Sequence, residues 1–235
     1  MKHAGLRSRV AMQERSPAWL KRSVGPVALY FDMLFIDHGI FRMAYLNKHQ
    51  VADSPVWRSA QPAPGDIARM AKAGVRTIVN LRGERLCGSY WLEEAACKKY
   101  GIAFENFQVR SRDAPSLEEL RGARDLFQRI AYPMWMHCKS GADRAGLMSV
   151  LYLHVHEGVE IEEAVKQLSL KYGHIKQADT GVLDYFFERY ITYNRETPID
   201  FFDWVETVYD PVEVRNTFRA NGLANRLVNS ILRRE

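Results

Sequence analysis

The sequence predicts an α/β fold: a small, mostly parallel central sheet flanked by helices, with helical extensions at both ends. Three observations predict it. From residue 56 onward, short β-like runs alternate with helix-like runs, the pattern of strands joined by helical crossovers. From residue 160 the chain reads as helix throughout. Before residue 50 it carries a basic leader with a single apolar run.

The elements follow in order. VRTIVNL (75–81) is β-branched and bounded by Gly74 and Gly83, so it reads as a buried strand. Before it, PGDIARMAKAG sets Ile67, Met70 and Ala71 at helical spacing, opens on proline and closes on Gly74. SYWLEEAACKKYG is a second helix stopped by glycine. IAFENFQVR (102–110) alternates apolar and polar residues and predicts a strand. In SRDAPSLEELRGARDLFQRIA, Ser116 and Glu119 form a capping box. Leu117, Leu120, Ala123, Leu126, Phe127 and Ile130 then recur on one face. SRDAP is therefore a loop between a strand's C-terminal end and a helix, where open α/β sheets bind ligands. PMWMHC is the next strand and DRAGLMSVLYLHVHEG the next helix. EIEEAVKQLSLKYG, TGVLDYFFERYITYN, PIDFFDWVETVY and VEVRNTFRANGLANRLVNSILRR complete the chain as helices. The expected division is a basic helical leader (1–50), a main domain (51–194) and a helical extension packed on it (195–235).

Charge narrows the partners. Of the formal net charge of +5, residues 1–50 hold all of it: eight Lys/Arg against three acids, 8 − 3 = +5. A neutral body with a basic leader is not the footprint of a nucleic-acid-binding domain. The leader can meet anionic membrane or remain a solvated terminus. Its apolar run, VGPVALYFDMLFIDHGIF (24–41), is broken by Asp32, Asp37 and His38, so its pieces are too short to span a bilayer. An uncleaved soluble helix is expected there, with an interfacial amphipathic helix as the alternative. Three cysteines, Cys87, Cys97 and Cys138, make no disulfide framework and suit a reducing, cytoplasmic compartment. His154 and His156 stand two apart on a helix and cannot readily chelate one metal ion together.

The chemistry concentrates in YPMWMHCKSGADRAGLMSVLYL (132–153). A strand that turns through glycine into a helix presents successive backbone N–H groups as a cradle for an anion. Gly141 lets the backbone bend and a ligand approach closely. Arg144, at the helix start, offers a fork for two oxygens of a tetrahedral oxyanion. Cys138 sits on the cradle floor, where the same N–H groups and the helix dipole favour a thiolate. A thiolate beneath a bound phosphate is placed for in-line attack on phosphorus.

HCKSGADRAG resembles the signature loop of the cysteine-dependent protein tyrosine phosphatases, above all the dual-specificity branch and its compact bacterial members. VWRSAQPAPGDIARMAKAGVRTIVNLRGE resembles the opening strand–helix–strand of those domains, and the likeness covers roughly residues 55–190. It implies a dual-specificity-phosphatase-like fold and a metal-independent phosphatase that needs no cofactor. Cys138 would carry a phosphocysteine. Lys139, Ser140, Gly141, Ala142, Asp143 and Arg144 would bind the phosphate, and His137 would shape the loop. An upstream loop aspartate would act as general acid, and Asp113, 25 residues before Cys138, is the candidate; Asp125 falls inside the following helix and ranks behind it. The implied substrates are phosphotyrosine and, further, phosphoserine or phosphothreonine, on a phosphorylated protein or a small phosphate ester. The alternatives are a phosphoinositide or inositol phosphate phosphatase, which Lys139 favours, and a weakly active phosphate-binding module. A rhodanese-like sulfur transferase fits the His-Cys start and the upstream Asp less well. The family places Ser or Thr after the arginine to assist the departing thiolate, but here Ala145 stands there, so a slow second step is expected. Cys87 and Cys97 are candidates to trap an oxidised Cys138.

Overall fold

The computed structural model describes residues 27–37, 45–85 and 87–219. Five strands, β1 (His49–Gln50), β2 (Val56–Ala60), β3 (Thr77–Asn80), β4 (Ala103–Asn106) and β5 (Met134–Cys138), form one sheet in the order β1-β2-β5-β3-β4. Only the β1–β2 pairing is antiparallel; β2–β5, β3–β5 and β3–β4 are parallel. The register sets Ala60 beside Cys138 and Asn80 beside His137, so β2, β3 and β5 end together at one carboxyl edge.

The β4 segment is shorter than its alternating sequence suggests, ending at Asn106. The cause is local. β3 itself ends at Asn80, whose Nδ2 donates to the Asn106 Oδ1 and to the Gly83 carbonyl; the Phe107 N–H makes the last parallel-ladder bond, to the Asn80 carbonyl, and beyond it β3 offers β4 no further partner. The expected helix over 160–173 is also interrupted. It resolves into an α-helical turn (Ile161–Ala164) and two 3₁₀ turns, Val165–Gln167 and Leu170–Tyr172.

The chain divides into two compact units, residues 1–108 with 130–145, and residues 109–129 with 146–235. The first contains the sheet. Its helices α1 (Pro64–Lys72) and α2 (Gly88–Tyr100) pack on each other and on β3 and β5 through Ile67, Met70, Ile78, Cys97 and Trp135, all buried. Each such aliphatic side chain contributes about 1.5–3 kcal/mol when fully removed from water. In this unit a helix over 27–31 runs into a π-helical turn, Asp32–Ile36. Its burial is inverted: Asp32 is buried and accepts the Gly88 N–H, whereas Phe31 and Phe35 are 53% and 55% exposed with their rings 4.9 Å apart.

The second unit is helical. Helix α3 (Leu117–Arg129) buries Leu120, Ala123, Leu126 and Phe127, the expected face. It opens with the capping box read from sequence: Glu119 accepts the Ser116 N–H at 2.7 Å and its own N–H donates to Ser116 Oγ at 3.2 Å. Helix α4 (Asp143–Leu151) follows β5 and ends in a π-helical turn, Tyr152–His156. There His156 stacks on Tyr152, while His154 contacts the rings of Tyr190 and Phe201. Helices α5 (Val182–Glu196) and α6 (Phe201–Thr207) bury Phe186, Tyr190, Phe201 and Trp204 against one another, and a further helix covers 211–219. A recess of about 410 Å³ in this unit, edged by Tyr185, Arg189, Tyr193, Tyr209 and Glu213, contains none of the candidate site residues. Among the described residues no helix is long and apolar enough to cross a membrane. Residues 1–26, 38–44, 86 and 220–235, with most of the basic leader and the end of the last helix, lie outside those described.

Candidate active site

The carboxyl end of β5 delivers Cys138, and the chain then turns through residues 139–142 into α4. Cys138 is 2% exposed. Gly141 takes φ +78°, and a Cβ there would lie 2.6 Å from the Ser59 carbonyl carbon and 2.7 Å from the Ala60 nitrogen, so only glycine fits. With the backbone so bent, the Gly141 N–H points to Cys138 Sγ at 3.2 Å.

An N–H that faces inward needs its carbonyls satisfied elsewhere. Arg58 supplies two of them: its Nη2 donates to the Gly141 and Ala142 carbonyls, both at 2.8 Å. Asn47, itself at φ +49°, donates from Nδ2 to the Ser140 carbonyl at 2.9 Å. Three consecutive loop carbonyls are thus held by side chains from before and within β2. Arg58 is wholly buried, so these bonds are made without competition from water. The sequence reading missed both residues. The available signal was an arginine in the middle of a short, otherwise buried strand.

His137 is fully buried beside the nucleophile, and its Nε2 stands 2.5 Å from Glu93 Oε1 on α2. Gln61 Nε2 donates to the other Glu93 oxygen at 2.7 Å, Arg82 Nη1 donates in turn to Gln61 Oε1, and both Arg82 terminal nitrogens donate to the Asp37 carboxylate. Burial alone would loosen the Arg82 proton, but the hydrogen bonds and charge of Asp37 outweigh it and the guanidinium is held more firmly charged. A line of polar groups therefore runs from Asp37 to the residue preceding the nucleophile. Of this line the sequence reading found only His137.

Arg144 is half-buried in the first turn of α4, and among the described residues no hydrogen bond engages its guanidinium. Burial lowers its pKa; Arg82 and Arg85 act the same way, while Cys138 and Asp143 oppose them. Asp143 begins the same helix, and Lys139 and Ser140 are exposed on the turn. Ala145 is buried.

Asp113 belongs to the second unit, on the segment before α3. Its Oδ1 accepts from Arg215 Nε at 2.5 Å and from the Ala114 N–H at 3.0 Å, and its Oδ2 accepts from Arg110 Nη1 at 3.4 Å. Arg110 is committed mainly to Glu119. Asp125 lies on α3 with 65% of its side chain exposed, paired with Arg124. Cys97 is packed into the apolar cluster, where burial pushes its thiol up to about 12, and burial also raises Cys87 at the start of α2.

The first unit thus brings together the buried Cys138 thiol, an N–H aimed at its sulfur, and the Arg144 guanidinium in the first turn of the following helix. Residues 43–182 match the family described as DSP-PTPase phosphatase fused to NAD+ kinase. No curated protein matches the chain. Among solved structures it is similar to P. aeruginosa TpbA, at 17% identity and TM-score 0.49 over 62% of this chain and 86% of that one. It is similar to Tk-PTP in the active form, at 24% and 0.47 over 62% and 99%. It is also similar to a putative phosphatase from Neisseria meningitidis, at 22% and 0.46 over 60% and 97%. Because the family match spans more than half of the 235 residues, the chain belongs to the DSP-PTPase phosphatases.

Proposed function

We propose that this chain is a metal-independent phosphatase that works through a phosphocysteine on Cys138, with phosphotyrosine as its first substrate class and phosphoserine and phosphothreonine as further ones. The observation that supports it best is the Gly141 N–H directed at Cys138 Sγ, with the loop carbonyls tied back by Arg58 and Asn47. In the first step the sulfur lone pair attacks phosphorus, the S–P bond forms and the P–O ester bond breaks. Asp113 gives its proton to the departing oxygen. In the second step Asp113 takes a proton from water, the water oxygen bonds to phosphorus, and the S–P bond breaks to restore the thiolate and release phosphate. The N–H groups of residues 139–144 and the Arg144 fork hold the equatorial oxygens through both transition states. His137 fixes the loop from behind.

The test is hydrolysis of an aryl phosphate in the presence of a chelator, followed by rapid quench. A burst of alcohol product that Cys138→Ser abolishes, with phosphate recovered on Cys138 by mass spectrometry, is the expected result. Activity lost on chelation, or retained in Cys138→Ser, overturns the covalent reading. Vanadate binding with no turnover on aryl, peptide or inositol phosphates replaces it with a phosphate-binding module.

We propose further that the leader touches anionic membrane. The exposed Phe31–Phe35 face supports this, since it follows a basic stretch in sequence and sits on a helix anchored by its buried aspartate. Co-sedimentation with anionic but not zwitterionic vesicles, lost in Phe31→Ser/Phe35→Ser, is the expected outcome. Equal sedimentation with both vesicle types removes the electrostatic part.

A further inference from the structure

The segment before α3 is held by the C-terminal part of the chain at two points. Tyr209 donates its hydroxyl to the Pro115 carbonyl at 2.7 Å in a buried bond, and Arg215 reaches Asp113 from the 211–219 helix. Both lie beyond residue 182, where the family match ends. Tyr209 and Arg215 therefore lie outside the matched segment.

Its consequence depends on what Asp113 must do. A general acid carries a proton on one carboxyl oxygen and presents it to the substrate. Here Oδ1 already accepts two N–H bonds, one of them from a guanidinium with 30% of its side chain exposed. Oδ2 meets only Arg110, at the long distance of 3.4 Å, and Arg110 belongs to Glu119 through closer bonds. The other groups facing Asp113 are Glu119 and Tyr209, neither of which supplies a second cation. Arg215 is thus the closest charged partner of Asp113 among the described residues.

We propose that Arg215 is a positioning residue and the 211–219 helix a latch, whose ion pair occupies Asp113 and must open before that carboxyl can serve as a proton donor. The inference rests on the assignment of Asp113 as general acid. Latching costs most when the leaving group needs its proton, as with an unactivated alkyl or phenyl phosphate, and little when the leaving oxygen departs unaided, as with p-nitrophenolate. The latch is a selectivity device as well as a brake.

The experiment measures burst rates by rapid quench on p-nitrophenyl phosphate and on phenyl phosphate. The proteins are wild type, Arg215→Ala, Arg215→Lys, Asp113→Asn and the Asp113→Asn/Arg215→Ala pair, with thermal midpoints confirming that each folds. Arg215→Ala is expected to raise the phenyl phosphate rate about fivefold, the upper end for an ion pair partly open to solvent, and to leave p-nitrophenyl phosphate within about twofold. Arg215→Lys returns the rate toward wild type, and the gain vanishes in the Asp113→Asn background. A fall on phenyl phosphate, an equal change on both esters, or a gain that persists without Asp113 overturns the latch. If Asp113→Asn loses rate selectively on phenyl phosphate and Arg215→Ala gains nothing, the latch fails while the acid assignment stands. If Asp113→Asn loses nothing, the assignment falls and the latch with it. No burst in wild type or Arg215→Ala overturns both, whereas a burst in Arg215→Ala alone is the latch in its strongest form.

Discussion

Glu93 Oε1 stands 2.5 Å from His137 Nε2, and both side chains are sealed from solvent. The two atoms are in close polar contact, but the alignment is not that of a linear hydrogen bond. Gln61 and, behind it, Arg82 and Asp37 supply the surroundings that keep Glu93 in place. The residue before Cys138 is thereby held by α2, read from sequence only as a helix stopped by glycine.

Removing one member of a buried polar pair strands the other. Glu93→Ala is expected to destabilise the fold by about 3 kcal/mol, with Glu93→Gln costing clearly less because it retains a partner for Gln61. Urea unfolding of the two variants checks this. Equal midpoints for Glu93→Ala and wild type would mean that the pair carries no net stabilisation.

The cradle itself was legible because its parts are contiguous: β5, the turn and α4 occupy one stretch of sequence, and glycine and arginine mark its bend and its helix start. Arg58, Asn47 and Glu93 were not, because each reaches the loop across the sheet or from α2, and no local spacing records a contact made through strand pairing. The β4 strand was over-read for a related reason. Alternation continues past Asn106, but β3 ends at Asn80, so residues after 107 have no partner in that strand.

Arg58 ties two loop carbonyls with one nitrogen, so Arg58→Met leaves both acceptors buried and unmet. Vanadate affinity is expected to fall by about two orders of magnitude, the equivalent of roughly 3 kcal/mol for hydrogen bonds to a charged donor. Isothermal titration reads the loss. An unchanged affinity would show that the loop holds its shape without the arginine.

Gly141→Ala and Gly101→Ala separate conformational from steric cost. Both glycines have positive φ, +78° and +69°, but a Cβ at 101 meets nothing within 4 Å while one at 141 strikes the β2 backbone. Gly101→Ala should cost about 1–2 kcal/mol, the left-handed penalty alone; Gly141→Ala should cost more and also abolish phosphate binding. Thermal midpoints for the pair decide it, and equal losses would place the Gly141 requirement in φ only.

Glu119 sets an acid limit. Burial alone would raise its pKa, but hydrogen bonds from the Arg110 guanidinium and from the Ser116 and Arg110 N–H groups win, and the net shift is downward from 4.5. With the folded value below the unfolded one, its contribution is present above the ordinary glutamate range and is lost as pH falls through the lowered folded value. Glu119→Gln should be less stable than wild type at neutral pH, with the gap closing in acid. Denaturant midpoints at the two pH values test it, and a gap that widens in acid would reverse the sign.

Ala145 offers a gain-of-function check on the second chemical step. It is fully buried next to Arg144, and a hydroxyl at this position is what the resembling phosphatases use to ease the thiolate's departure. Ala145→Ser should leave the burst unchanged and raise steady-state turnover severalfold. A burst lowered together with turnover would show instead that the site cannot seat the hydroxyl.

The bonds that shape the nucleophile's loop come from far away in the chain. Asn47 and Ser140 are 93 residues apart, and Arg58 and Gly141 are 83. Such contacts form only after the chain has closed long loops, whose entropy must be met before the bonds return anything. During synthesis Asn47, Arg58 and Glu93 therefore emerge long before the loop they hold, and the surroundings of Cys138 can close only after β5 and residues 139–144 have followed. Closure of that loop is thus a late event in the life of the polypeptide, and a probe placed on it can serve as a clock for completion of the sheet.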